Sequence, residues 1–196
     1  MENTELLMKA ISFASRAHQG QLRKDDKTPY ISHPFRVCMT LRNVFGIEDE
    51  RALAAAVLHD TIEDTKTDFD DLNENFGREV ASWVGLLSKD KRMIEEEREA
   101  AYAERLKKAP DEVKLIKLAD IYDNVLDATT ALSKSHEEKT LKRSQYYLDA
   151  MKAEPSAPVL KSIAIVEVLI RKASQEWATN NKKEEAPKNE QPNTPI

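Results

Sequence analysis

Two dipeptides in the first third of the chain place unusual chemistry side by side. His59-Asp60 closes the segment RALAAAVLHD, which is otherwise almost entirely apolar. An imidazole and a carboxylate set against a core cost several kcal/mol unless something pairs them, and a divalent metal is an effective partner. Glu63-Asp64 follow in HDTIEDT, three and four residues beyond Asp60. Carboxylates so close repel one another without a cation nearby. Beside a water acidified by a metal, one can take a proton and the other can orient the water. His33, before Pro34, and Asp120, in KLIKLAD, add one more group of each kind. Together His33, His59, Asp60 and Asp120 make a mixed nitrogen and oxygen set suited to Mn, Fe or Zn. A lone buried histidine is more often a hydrogen-bonded core residue, and two acids in a loop are more often solvated. The coincidence of HD with ED one turn later favours the metal.

Other polar residues gain meaning beside that set. Asn124 stands four residues after Asp120, so both project from one helical face. Arg23-Lys24, on a loop just before His33, form a basic pair suited to phosphate, with arginine offering bidentate contacts. His18, closing the first helix, reads as structural, and His136, in the polar run SKSHEEK, reads as solvated.

The elements that must carry these groups are helical. Leu7, Ala10, Ile11, Ala14 and Ala17 recur with helical spacing, as do Val37, Leu41, Val44 and Phe45 up to Gly46. Asp49 opens the Ala-rich helix that ends in HD, and a loop is expected at 61–67. Shorter helices are expected over 70–76 and 78–87, divided by Gly77, before a highly charged stretch over 91–109. Residues 111–128 read as the clearest buried helix. Two further helices, near 135–153 and 156–178, follow without a legible motif. In the last of them Val159, Ile163, Val166 and Ile170 belong to an apolar arc so wide that the helix is either deeply buried or packed on another subunit. The segment 181–196 holds three prolines and six charges and is expected to be a disordered tail.

Composition narrows the classes. The chain has 196 residues, 30 Lys+Arg against 35 Asp+Glu, four glycines and one cysteine. Four glycines are too few for a sandwich of tight turns or a glycine-rich phosphate loop. The acidic balance argues against a nucleic-acid polymer as partner, and no apolar run reaches the ~20 residues of a membrane span. A single cysteine and the absence of a signal peptide suit the cytoplasm. The expectation is one all-α domain over 1–180, its motif-bearing core at about 4–130, with additional helices over 135–180.

The segments RKDDKTPYISHP, AAAVLHDTIEDT, FGREVASWV and IKLADIYDN, in this order, resemble the hydrolase domain of the RelA/SpoT family within the HD-domain phosphohydrolases. The length suits the stand-alone small alarmone hydrolases. The resemblance implies a helical bundle with Mn²⁺ between helices (Zn²⁺ or Fe²⁺ being the alternatives). It also implies removal of the 3′-pyrophosphate from the nucleotides ppGpp and pppGpp, leaving GDP or GTP. By the same resemblance His33, His59, Asp60 and Asp120 hold the metal, while Glu63 and Asp64 activate and orient the water. Arg23, Lys24 and Asn124 face the nucleotide, with Lys91 and Arg98 as further phosphate contacts. Two departures bear on the substrate. Ile121 and Asp123 replace the basic residue after LAD and the His or Tyr before Asn that the family usually has, and Lys27-Thr28 stand where glycine commonly precedes PY. The alternatives are another 3′-phosphorylated purine, the 2′-phosphate of NADPH, or a non-catalytic nucleotide-binding module.

Overall fold

The computed structural model describes residues 3–129 and 134–185, which form ten helices. These are α1 (Asn3–Ala17), α2 (Ser32–Asn43), α3 (Glu50–Leu58), α4 (Thr61–Asp64) and α5 (Phe69–Phe76). There follow α6 (Arg78–Leu87), α7 (Glu95–Lys108), α8 (Asp111–Thr129), α9 (Lys134–Ala150) and α10 (Ala157–Glu185). Among the described residues there is no strand, and no helix is long and apolar enough to cross a membrane. The helical bundle expected from periodicity is therefore the observed fold.

Two helices organise the interior. α3 receives α1, α2 and α6, and α8 receives α2, α9 and α10. Every residue from Ala52 to Leu58 is buried. The alanines let neighbouring backbones approach closely, and Asp49 caps the helix by accepting from the Arg51 amide. Gly77 ends α5 and begins α6 at φ 82°, a backbone conformation that favours glycine, so two helices meet with no linker. The loop between α1 and α2 is fixed by the Leu22–Pro29 bridge and by Asp25, which accepts from the amides of Lys27 and Thr28. Arg23 and Lys24 are thereby held on an ordered turn.

Three expectations are corrected or sharpened. Residues 61–67 are not all loop, because α4 forms where the Thr61 hydroxyl donates to the Leu58 carbonyl and the Thr65 amide to the Thr61 carbonyl. α10 buries Val159, Ile163, Val166, Ile170 and Ala173 within its own chain, so the wide apolar arc has an internal partner, while Leu160 and Val168 stay exposed. α10 also runs to Glu185, past the boundary drawn at 180, and residues 186–196 of the expected tail lie outside the described residues.

Candidate active site

The geometry of the site starts from how α3 stops. His59 caps the helix and its Nδ1 donates to the Ala56 carbonyl at 2.8 Å. One proton is thus committed on Nδ1, and Nε2 faces inward. That buried Nε2 has no hydrogen-bond partner, although it lies 3.0 Å from Asp60 Oδ2. On α2, His33 donates from Nδ1 to Asp123 Oδ2 at 2.6 Å and directs Nε2 to within 3.1 Å of Asp120 Oδ1 and 3.6 Å of Asp60 Oδ2. Ligand atoms of His33, His59 and Asp60 all lie within 4.8 Å of one another. Asp120, on α8, adds an oxygen 3.8 Å from His59 Nε2 while accepting from Lys117 and Asn124. An orphaned buried nitrogen, two imidazoles fixed by their outer nitrogens and two converging carboxylates fit a divalent cation.

Electrostatics support that fit. Burial opposes a charged His59, yet the charge of adjacent Asp60, with that of Asp120 behind it, raises its pKa to about 9. Burial likewise opposes a charged His33, and hydrogen bonds with Asp120 and Asp123 outweigh it. Asp60 is shifted oppositely: burial favours its neutral form, but His59 and then His33 hold its carboxyl well below the usual range. Without a metal, protons on the imidazoles balance the carboxylates; a divalent cation can supply the same charge.

Glu63 and Asp64 sit on α4 at the rim of this cluster. Glu63 accepts from the Lys89 amide at 2.9 Å, and burial raises its pKa. Asp64 accepts from the Tyr30 hydroxyl at 3.1 Å and is paired with Lys91. The same Tyr30 hydroxyl lies 2.6 Å from Asp60 Oδ2, and the Arg23 guanidinium lies 5.6 Å from the centre of its ring. His18 is buried beside Tyr30, its ring 4.9 Å away, and bonds Gln21, whose amide holds the Asp64 carbonyl.

A cavity of about 530 Å³ opens over these groups. Arg23, Lys24 and Asn124 line it. Lys91 touches Asp64 instead of lining the cavity. Arg98 is a correction: its guanidinium turns to the Met93 carbonyl and Glu99, outside the cavity lining. His136 is also corrected, since it is half-buried in the cavity wall with Nε2 3.1 Å from Lys24 Nζ. The remaining wall was not foreseen. Lys139, Arg143 and Tyr147 enter from α9, with Lys89 and Lys117 below them. Lys117 lies 4.8 Å from the Tyr147 ring centre and 5.2 Å from that of Tyr102, so the aromatic pair seats a cation behind Asp120. Of the two residues that depart from the LAD pattern, Ile121 faces the cavity, whereas Asp123 points to His33.

Residues 10–148 match the HD-domain family model. The chain belongs to the HD-domain family. This HD domain is 41% identical over 123 residues to the guanosine-3′,5′-bis(diphosphate) 3′-pyrophosphohydrolase MESH1 of Xenopus tropicalis, covering 62% of this chain and 69% of that one. It is 36% identical over 146 residues to MESH1 of Drosophila melanogaster, covering 74% and 80%. Among solved structures, a metazoan ortholog of SpoT that hydrolyses ppGpp superposes on 85% of this chain and 94% of its own, with TM-score 0.75 and 30% identity. The HD-domain match extends through most of α9, so the helix that completes the cavity belongs to the domain and is not an appendage.

Proposed function

We propose that this protein is a metal-dependent 3′-pyrophosphohydrolase of ppGpp and pppGpp, releasing pyrophosphate and leaving GDP or GTP. The observation that carries the reading is the convergence of His33, His59 and Asp60 beneath a basic cavity, with Glu63 and Asp64 at its rim. The MESH1 relatives, named for this reaction, and the SpoT ortholog, described as hydrolysing ppGpp, support it. His33, His59, Asp60 and Asp120 hold the cation, for which Mn²⁺ is our choice. When bound, it supplies positive charge that acidifies water and offsets the charge of the attacked phosphate.

The chain's own residues do the rest. Asp64, fixed by Tyr30 and Lys91, orients the water, and Glu63 takes its proton. The water oxygen bonds to the phosphorus attached to O3′, the P–O3′ bond breaks, pyrophosphate leaves, and the proton taken by Glu63 balances the one the 3′ oxygen gains. Burial keeps Glu63 more basic than an ordinary glutamate, which suits it to that transfer. Arg23, Lys24, Lys89 and Arg143 meet the phosphates, and Asn124 steadies Asp120 beside the nucleoside. Asp123 is turned away from the cavity, so its departure from the family pattern leaves the nucleotide-facing surface unaltered. The single cysteine, Cys38, is buried and suits a reducing cytoplasm.

Product analysis tests this. Purified protein supplied in turn with Mn²⁺, Zn²⁺, Fe²⁺ and Mg²⁺ is expected to release pyrophosphate and GDP in equal amounts from ppGpp, fastest with Mn²⁺. Absence of pyrophosphate with every ion overturns the reading. Inorganic phosphate from NADPH alone would replace it with the phosphomonoesterase alternative, and nucleotide binding without turnover with the non-catalytic one.

A further inference from the structure

Behind His33 lies an unbroken line of charged side chains that joins the metal centre to the phosphate-facing loop. His33 Nδ1 is 2.6 Å from Asp123 Oδ2. Asp123 is itself gripped by Arg36, with Nε 2.6 Å from Oδ1 and Nη2 2.9 Å from Oδ2. Arg36 Nη2 continues to Asp127 Oδ1 at 3.2 Å, and Asp127 Oδ2 receives Arg23 Nη2 at 2.5 Å. The spacing makes this line from two helical faces. His33 and Arg36 stand three residues apart on α2, and Asp123 and Asp127 four apart on α8.

We propose that Asp123 and Arg36 are positioning residues for the reaction, aiming His33 at the cation and tying that aim through Asp127 to Arg23. The inference rests on the reading of His33 as a metal ligand. A carboxylate on the outer nitrogen of a ligating histidine fixes which nitrogen carries the proton and which way the ring faces. Here that carboxylate is held on both oxygens by a planar guanidinium, a bidentate grip that lysine cannot reproduce. Asp123 is buried, whereas the Arg36 side chain is 41% exposed, so the clamp can be altered from outside the cavity without touching a cavity residue. The competing role is a simple staple between α2 and α8. It would change stability and leave metal affinity alone.

The test titrates the metal-free protein with Mn²⁺ by calorimetry, beside thermal melts and steady-state kinetics on ppGpp. Asp123→Asn is expected to weaken Mn²⁺ binding about 10–100-fold. Arg36→Met is expected to weaken it in the same direction by less, and Arg36→Lys to recover only part of the loss. The double variant is expected to weaken it no more than Asp123→Asn alone, because both act through one contact. Asp127→Asn is expected to raise KM for ppGpp and to weaken Mn²⁺ binding less than Arg36→Met does. Mn²⁺ affinity within twofold of wild type in folded Asp123→Asn overturns the proposal. Should that variant not fold, unchanged affinity in Arg36→Met overturns it. Wild-type protein that binds no divalent ion overturns both this inference and the metal reading. Wild-type protein that binds Mn²⁺ but spares ppGpp overturns the substrate reading alone, and the affinity series still decides the clamp.

Discussion

The Tyr30 hydroxyl lies 2.6 Å from Asp60 Oδ2, and from the same position it reaches Asp64 at 3.1 Å. One phenol therefore bridges the carboxylate proposed to hold the metal and the one proposed to orient water. Burial and the neighbouring Asp60 charge push the phenol's pKa strongly upward, so it remains a donor at every working pH. Tyr30→Phe removes that donor while keeping the ring beside His18 and Arg23. The expected result is a fall in kcat of about tenfold with little change in KM, and a stability loss of ~1 kcal/mol from the hydrogen bond removed. Steady-state kinetics and denaturant unfolding measure the two effects.

Glu63 and Asp64 stand next to each other on α4 but in different surroundings. Glu63 faces the backbone amide of Lys89, and burial raises its pKa, whereas Asp64 is paired with Lys91 and Tyr30. The proposed base and the proposed orienting carboxylate are thus separated by environment. Glu63→Gln keeps the shape and removes the base, so kcat should drop by about 10²–10⁴ while Mn²⁺ and nucleotide still bind. Single-turnover kinetics with ppGpp, alongside nucleotide titration, would show it; full turnover by Glu63→Gln would remove Glu63 from the proton transfer.

Metal affinity should depend steeply on pH. With no metal, Asp60 and Asp120 raise His59 to about 9, so at neutral pH the metal displaces a proton from that imidazole. Apparent affinity is expected to rise with pH up to about 9, with proton release seen as a buffer-dependent heat in calorimetry. The same shift sets the stability of the metal-free protein. A histidine whose folded pKa is raised adds stability that is complete below its ordinary value of 6.5 and is lost as pH rises through 9. The melting temperature of metal-free protein should therefore decline between pH 6.5 and 9, and saturating Mn²⁺ should abolish the decline.

α3 positions His59-Asp60 through a buried face with no room to spare. Ala54, Ala55 and Ala56 are each 0% exposed, and α1, α2 and α6 pack on the helix. Ala55→Leu forces three further carbons into that contact and is expected to cost about 1–3 kcal/mol by overpacking. Displacing the helix also moves the Ala56 carbonyl that holds His59 Nδ1, so Mn²⁺ affinity should fall in the same variant. Chemical denaturation and metal titration on one preparation test whether the two losses occur together.

Much of this was legible in the sequence because each feature had a local signature. The helical period and the bounding Gly77 marked α5 and α6. The adjacency of His59 to Asp60, and of Glu63 to Asp64, marked the chemistry. What escaped notice depended on contacts across the chain. Asp123 read as a departure from a motif, because nothing near it in sequence says that its partner is His33, ninety residues away. Arg36 escaped for the same reason. α9 was expected as a helix near 135–153, but its part in the cavity was not, because that signal is polar. His136, Lys139, Thr140, Arg143, Ser144 and Tyr147 repeat with helical spacing and all line the cavity. A search for apolar periodicity passes over a stripe of that kind. Arg98, near these residues in composition, fell on the wrong face of α7 and bonds the Met93 carbonyl.

That polar stripe leads to a last expectation. Lys139 lines the cavity from α9 and is exposed, with His136 and Arg143 on the same helical face. Arg143 is already engaged by Glu95 at 3.0 Å, so its removal would disturb α7 as well as the cavity. Lys139 is therefore the cleaner probe. A unit charge about 5 Å from a phosphate contributes ~1 kcal/mol in a water-like dielectric, equivalent to about fivefold in binding. Lys139→Ala should raise KM for ppGpp by about that factor and leave kcat nearly unchanged, because the residue is not among those proposed to hold the metal or act on the water. Since the effect is a screened charge, added salt should raise the wild-type KM toward that of the variant and narrow the gap. A KM difference that survives 0.5 M salt unchanged would mean that Lys139 acts by shape or by a direct hydrogen bond rather than by its charge.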